Sequence, residues 1–193
     1  MLTERRKEKI EQVLKRKQPD LTVVLENIHD PHNVSAILRS CDAVGVQEVQ
    51  LLYTIEAFPD IGKKSSASAK KWVERRKHRT IHECYKYLRE HGFTIFATRI
   101  ADNAELLYEL DLTQKIALVF GNENRGVSDE AANNADGIFQ IPMLGMIQSL
   151  NVSAACAVTL FEALRQRRSY GHYDSPKLSE GELQNKIKEW SEK

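Results

Sequence analysis

The chain has no apolar run of membrane-spanning length, no internal repeat and no low-complexity segment. A bilayer core requires about 20 consecutive apolar residues, so nothing in the sequence reads as a transmembrane helix. The charged N-terminus also lacks the apolar stretch of a signal peptide. Cysteine is scarce and odd in number: Cys41, Cys84 and Cys156 lie far apart among apolar residues. That pattern excludes a disulfide framework and shows no zinc spacing; it predicts reduced core cysteines in a cytoplasmic protein. The glycine-bounded segment from Gly121 to Gly126 lacks the Gly-Lys-Ser/Thr ending of a phosphate loop, which argues against a nucleoside triphosphatase. No Ser/His/Asp order stands out for hydrolase chemistry. His29, Asp30 and His32 have no third ligand at a recognisable spacing, so no metal is expected.

Net charge is nearly absent as well, at +1 over 193 residues. Its distribution is uneven. The first eighteen residues hold Arg5, Arg6, Lys7, Lys9, Lys15, Arg16 and Lys17 against three glutamates. A second block runs from Lys63 to Arg79 with Glu74 as its one acidic residue, and a third comprises Arg165, Arg167 and Arg168. Any one cluster can be a solvated face; three on a neutral chain suggest a polyanion partner such as nucleic acid.

The length suits one domain with short terminal additions. Residues 3–17 predict a basic helix with few apolar positions, lying on the surface or on a partner. β-branched or apolar runs predict strands at 21–25, 48–53, 93–98, 116–120 and 138–141. Between them, Val34, Ile37, Leu38, Cys41 and Val44 trace one face of a helix that starts at Asn33 as N-cap and ends at Gly45. Ser35, Arg39 and Asp42 fall on its other side, where Arg39 can pair with Asp42. Helices are also expected at 81–91, 104–109 and 150–168, and after Ser128. A weakly held one is expected near Trp190. The alternation implies an α/β fold, a mostly parallel sheet with helices on both faces, which binds ligands at the carboxyl ends of its strands. The domain is placed at 19–168, with a basic helical extension at 1–18 and a polar tail at 169–193.

One stretch resists a purely structural reading. From Ile141 to Ala155 the chain leaves a strand at Pro142, passes Met143, Leu144, Gly145, Met146 and Ile147, and enters a helix that Ser149 is placed to cap. Soluble domains seldom leave such residues uncovered in a connection. The loop either encloses a small ligand with a flat apolar part or lies under a partner subunit.

Three segments together resemble the motifs of the SPOUT-class RNA 2′-O-ribose methyltransferases: Asn27-Ile-His-Asp-Pro-His-Asn-Val-Ser-Ala-Ile-Leu-Arg39, Phe120-Gly-Asn-Glu-Asn-Arg-Gly-Val-Ser128, and Ile141-Pro142 followed by Gln148-Ser-Leu-Asn-Val-Ser153. They occur in the family's order, and the resemblance spans roughly residues 20–168. Lys17-Gln-Pro-Asp-Leu-Thr-Val23, Cys41-Asp-Ala-Val-Gly-Val-Gln-Glu-Val49 and the serine-rich segment before Trp72 make the chain most similar to the bacterial TrmH type. The resemblance implies a C-terminal deep trefoil knot, a homodimer packed through it, and methyl transfer from S-adenosyl-L-methionine to the ribose 2′-hydroxyl of a D-loop guanosine in tRNA. By the same resemblance Thr98, Gly121, Ile141 and Leu150 hold the cofactor. Arg39 acts on the 2′-hydroxyl, and Asn33, Glu123, Ser149 and Asn151 shape the catalytic site. The basic residues Arg5, Arg6, Lys9, Lys15, Arg16, Arg165, Arg167 and Arg168 are expected to meet tRNA phosphates. A related enzyme acting on ribosomal RNA or the wobble ribose, and a catalytically silent RNA-binding protein, are the alternatives.

Overall fold

The computed structural model describes residues 3–59 and 69–193. The serine-rich segment and the start of the second basic block lie outside these residues. The chain runs α1 (Glu4–Leu14), β1 (Leu21–Glu26), α2 (Pro31–Val44), β2 (Glu48–Leu52), α3 (Ala69–Trp72), β3 (Glu74–His78), α4 (Ile81–Glu90) and β4 (Thr94–Thr98). It continues through β5 (Glu105–Leu106), β6 (Ile116–Phe120), α5 (Asp129–Asn134), β7 (Gly137–Gln140), α6 (Val152–Ser169) and α7 (Glu180–Ser191). The strands form one sheet in the order β3-β2-β1-β6-β4-β7-β5, and every pairing is parallel.

The two central strands explain why the sheet is covered on both sides. All six residues of β1 and all five of β6 are buried, so hydrocarbon points both ways. On one face Val23, Leu25 and Leu118 pack with Ile37, Leu38 and Cys41 of α2 and with Cys156 and Leu160 of α6. On the other, Val24, Ala117 and Val119 pack with Cys84, Tyr85 and Leu88 of α4 and Ala131 of α5. The three cysteines are buried and free. Among the described residues no helix is long and apolar enough to cross a membrane.

Several elements differ from expectation for definable reasons. Helix α2 begins three residues earlier than the apolar period indicates. Asp30, not Asn33, is its N-cap, accepting from the His32 amide at 2.8 Å with Pro31 in the first turn. Ser35 is buried, not on the solvent side. Asp42 pairs with Lys17 rather than Arg39. The helix does stop at Gly45 (φ 86°), where a Cβ would sit 2.6 Å from the Arg16 carbonyl oxygen. No helix forms at 104–109; the two residues of β5 extend the sheet there. The basic run 74–78 is a strand, β3, whose charges suit an exposed edge.

The termini form a small core of their own. Ile10 and Leu14 of α1 meet Leu178, Leu183 and Trp190, and the Trp72 ring lies tilted against Trp190, centroids 4.8 Å apart. Helix α7 is fixed at its start by a capping box between Ser179 and Glu182. Lys17, one of the first basic cluster, is almost fully buried beneath this core, where its ammonium donates to the Val46 and Trp72 carbonyls at 3.1 and 3.2 Å.

Arg167 corrects another expectation. Read as a phosphate contact, it is instead fully buried. Its guanidinium donates to the Asp20 carboxylate at 2.6 Å, to Gln18 Oε1 at 3.1 Å and to the carbonyls of Asp20, Leu112 and Gln114. Lys177 also reaches Asp20, so this cluster ties α6 and the C-terminal segment to the entry of β1. Burial works to raise the Asp20 pKa, but Lys177 and Arg167 outweigh it and hold the carboxyl below its ordinary 3.8. A depressed carboxylate contributes stability above its unfolded pKa and loses it as pH falls through the folded value. Arg167→Leu, which leaves the partly buried Asp20 carboxylate to Lys177 alone and takes the guanidinium from the Leu112 and Gln114 carbonyls, is expected to lower the unfolding free energy by about 3–5 kcal/mol at neutral pH. The deficit should shrink as pH drops below about 4. Urea unfolding at both pH values checks this; a neutral-pH loss under about 1 kcal/mol, the scale of an exposed pair, would contradict it.

Candidate active site

Because every strand is parallel, all carboxyl ends lie on one rim. Strands β6, β4 and β7 are adjacent in the sheet, so the segments leaving Phe120, Thr98 and Gln140 emerge side by side. At about 4.8 Å per strand, three neighbours span roughly 10 Å, the width of a nucleoside. Thr98 Oγ1 donates to the Val119 carbonyl at 3.0 Å, fixing the end of β4 to β6. Gly121 opens the next loop, and a Cβ there would lie 2.1 Å from the carbonyl carbon of Gly126. The loop closes on itself through the Gly126 amide to the Asn122 carbonyl at 2.8 Å. Only glycine permits that approach.

The Glu123 carboxylate on this loop reaches across to the start of α2. It accepts from the amides of His29 at 3.0 Å and Asp30 at 3.2 Å and from Asn33 Nδ2 at 2.8 Å. Asn33 Oδ1 in turn accepts from Asn151 Nδ2 at 3.2 Å. Asn151 Oδ1 accepts from the Ser153 and Ala154 amides at 2.9 and 3.4 Å, which makes Asn151 the N-cap of α6 in place of Ser149. One chain of side-chain bonds therefore joins the segments that follow β1, β6 and β7. Burial pushes the Glu123 pKa up, but the bonds from Asn33 and the His29 and Asp30 amides outweigh that and hold it below its ordinary 4.5.

Two residues that the sequence reading did not single out support the clasp. Asn27 has φ 50°, and its Oδ1 accepts from the amides of Thr54, Ile55 and Glu56 at 3.0–3.2 Å. Asn122 is buried and donates to the Asn27 carbonyl at 2.7 Å. An asparagine directly after a buried strand is the one signal that could have found Asn27, since this residue tolerates left-handed backbone. Nothing local distinguishes Asn122.

The expected residues divide clearly. Asn33, Glu123 and Asn151 are hydrogen-bonded together, while Arg39 and Ser149 stand outside that network. Arg39 is exposed, and its guanidinium makes no hydrogen bond or ion pair with any described residue. Ser149 is exposed too. Thr98, Gly121 and Ile141 stand at the three strand ends, and Leu150 just precedes α6. Arg5, Arg6, Lys9, Lys15, Arg16, Arg165 and Arg168 are exposed. Two of these cations are already paired, Lys15 with Glu11 and Arg165 with Glu162.

The connection from 142 to 150 has the make-up of a binding wall. None of its backbone groups bonds to a described residue. Leu144, Met146 and Ile147 project into solvent, the first two completely. Free backbone donors and acceptors beside uncovered hydrocarbon suit a ligand with a polar edge and an apolar face. Two clefts of about 490 and 420 Å³, beside Arg99 and Asn133 and beside Trp72 and Trp190, include no member of the clasp.

Residues 20–161 match the model of the SpoU rRNA Methylase family. A tRNA (guanosine(18)-2′-O)-methyltransferase of Thermus thermophilus is 50% identical over 191 residues, which cover 99% of this chain and 98% of that protein. The crystal structure of the A. aeolicus TrmH/SpoU tRNA modifying enzyme is 39% identical, with a TM-score of 0.91 over 98% of this chain and 96% of that one. The SpoU methyltransferase AviRb of Streptomyces viridochromogenes, in complex with the cofactor AdoMet, is 25% identical with a TM-score of 0.69, over 80% of this chain and 62% of that one.

The clasp has a pH signature. Because the Glu123 carboxyl is held down, its bonds should be complete above pH 4.5 and lost as pH falls through a lower midpoint. The His29 and Asp30 amide resonances, followed by NMR in acid, are expected to titrate below 4.5. A midpoint above that value would show that the carboxylate is not held as described.

Proposed function

The chain belongs to the SpoU rRNA methylase family, and from that premise we propose that it transfers a methyl group from S-adenosylmethionine to the ribose 2′-hydroxyl of a D-loop guanosine in tRNA. The observation that carries the choice of substrate is identity with the Thermus relative over nearly the full length of both chains, terminal helices included. Those helices are where Arg5, Arg6 and Lys9 of α1 stand exposed, and the end of α6 adds Arg168. Such a substrate places the enzyme in the cytoplasm.

The residues present suit the cofactor. When bound, S-adenosylmethionine supplies a methyl group already activated on a sulfonium, so the protein's task is mainly alignment and charge stabilisation. Thr98, Gly121, Ile141 and Leu150 would hold it, together with the unengaged backbone of 142–150. That wall would exclude water from one side. The family's trefoil knot would be made by the same segments. A second copy of the chain would cover Leu144, Phe161 and the small residues Ala154, Ala155 and Ala157.

Asn33, Glu123 and Asn151 brace the site rather than react. The Glu123 carboxylate is already engaged by two amides and one side-chain amide. Arg39 is available, being exposed and without a described partner. A guanidinium stays protonated at any working pH, so it cannot be a literal proton acceptor. Arg39 instead stabilises negative charge growing on the 2′-oxygen as its proton departs, or grips the adjacent phosphate.

Incubating the protein with labelled S-adenosylmethionine and bulk tRNA, then mapping the modified nucleotide, is expected to place the label on a D-loop guanosine ribose. Label at the wobble position, or none, would overturn the reading. Arg39→Ala should lose turnover by about 10²-fold or more, as when an oxyanion donor is removed, with an unchanged melting temperature. Near-normal turnover would remove Arg39 from the chemistry.

A further inference from the structure

The edge strand β3 has two faces of opposite character. Strand alternation sends Glu74, Arg76 and His78 one way and Arg75 and Lys77 the other. The first face is internally matched. Arg76 donates to both Glu48 carboxylate oxygens at 3.1 and 3.2 Å and lies 4.3 Å from the Tyr87 ring centroid. Glu74 takes Lys186, and His78 Nε2 lies 2.9 Å from Gln50 Oε1.

The second face is not matched. Arg75 and Lys77 stand beside Val49 and Leu51 of β2, both buried hydrocarbon. Lys77 Nζ and the Arg79 guanidinium lie 4.7 and 4.1 Å from the centroid of the Phe58 ring. No carboxylate among the described residues pairs with Arg75, Lys77 or the Arg79 side chain, and all three are exposed. Three cations at alternate positions repel one another, and the ring contacts hold two of them in place without neutralising them. A surface built this way is completed by an external anion with repeating charge.

Its position indicates which one. Phe58 packs on Tyr53 at 5.4 Å, and the Tyr53 hydroxyl donates to the Ile28 carbonyl at 2.9 Å. The next two residues, His29 and Asp30, give the Glu123 clasp its amides. Lys77 and Arg79 therefore share the carboxyl rim of the sheet with the clasp and are linked to it through these few contacts, while Arg75 lies further back along the edge, one residue from the amino end of β3. We propose that Arg75, Lys77 and Arg79, the last two seated on Phe58, form a phosphate-binding track that carries the RNA substrate's backbone along the β3 edge towards the clasp. The inference rests on the RNA-methyltransferase reading. Contacts of this kind position a strand and read no sequence.

Equilibrium binding of bulk tRNA to the full-length protein, measured across a salt series, tests the track. Replacing Arg75, Lys77 and Arg79 together by Gln is expected to weaken binding by about tenfold or more near 0.15 M salt. The plot of log K against log salt should become shallower by about two to three. Binding of S-adenosylmethionine and turnover at saturating tRNA should be preserved. The charge-keeping set Arg75→Lys, Lys77→Arg and Arg79→Lys should bind as the wild type does; an equal loss from that set, or from Arg76→Gln on the matched face, would overturn the assignment. Unchanged affinity and slope in the Gln variant, especially with new self-association, would leave these cations as guards of a sheet edge. A wild type that methylates tRNA while the Gln variant binds normally removes the track alone. A wild type that does not methylate tRNA removes the underlying reading and the track with it.

Discussion

The site depends on one carboxylate. Glu123 leaves a loop that Gly121 folds tightly, and it joins two backbone amides and one side-chain amide at the start of α2. Charge-assisted bonds to backbone donors are about twice as strong as neutral ones. Here they bind segments more than ninety residues apart in sequence. Asn33 passes the connection to Asn151, and Asn151 starts α6. Without Glu123 the ends of β1, β6 and β7 would still lie on one rim, with Asn122 still bonded to the Asn27 carbonyl, but the start of α2 would lose its carboxylate link to the β6 loop. Arg39 rides on the helix so anchored, six residues beyond Asn33.

The remaining polar burial serves the scaffold. Arg167 and Lys17 are cations removed from water, each given carbonyls and a carboxylate in return. They fix the terminal segments to the sheet, so α1 and α7 share a core with Trp72 and Trp190 instead of trailing into solvent. That has a functional consequence. The exposed cations of α1 are carried on a packed helix, which orients them as a surface.

Much of this was legible in the residues. The α2 apolar face, five of the strands and the meeting of Asn33, Glu123 and Asn151 follow from periodicity and from three motifs in a family's order. The misses share a physical cause. An arginine in a basic cluster looks the same in sequence whether it faces phosphate or, like Arg167, a partly buried aspartate 147 residues away. Local capping preference cannot choose between Asp30 and Asn33, or between Ser149 and Asn151, because all four side chains are able caps. Tertiary bonds decided it, engaging Asn33 with Glu123 and Asn151. Strand β3 carries no apolar alternation because it forms a charged edge, so the usual strand signal is missing.

The central claim is that Asn33 and Asn151 act as one unit held by Glu123. A double-mutant cycle on single-turnover methyl transfer, with Asn33→Ala, Asn151→Ala and both together, measures this directly. If the clasp is a unit, the double variant should be little slower than the worse single variant, with a coupling of about 0.5–3 kcal/mol. Rate losses that simply multiply would show two independent residues and contradict the account.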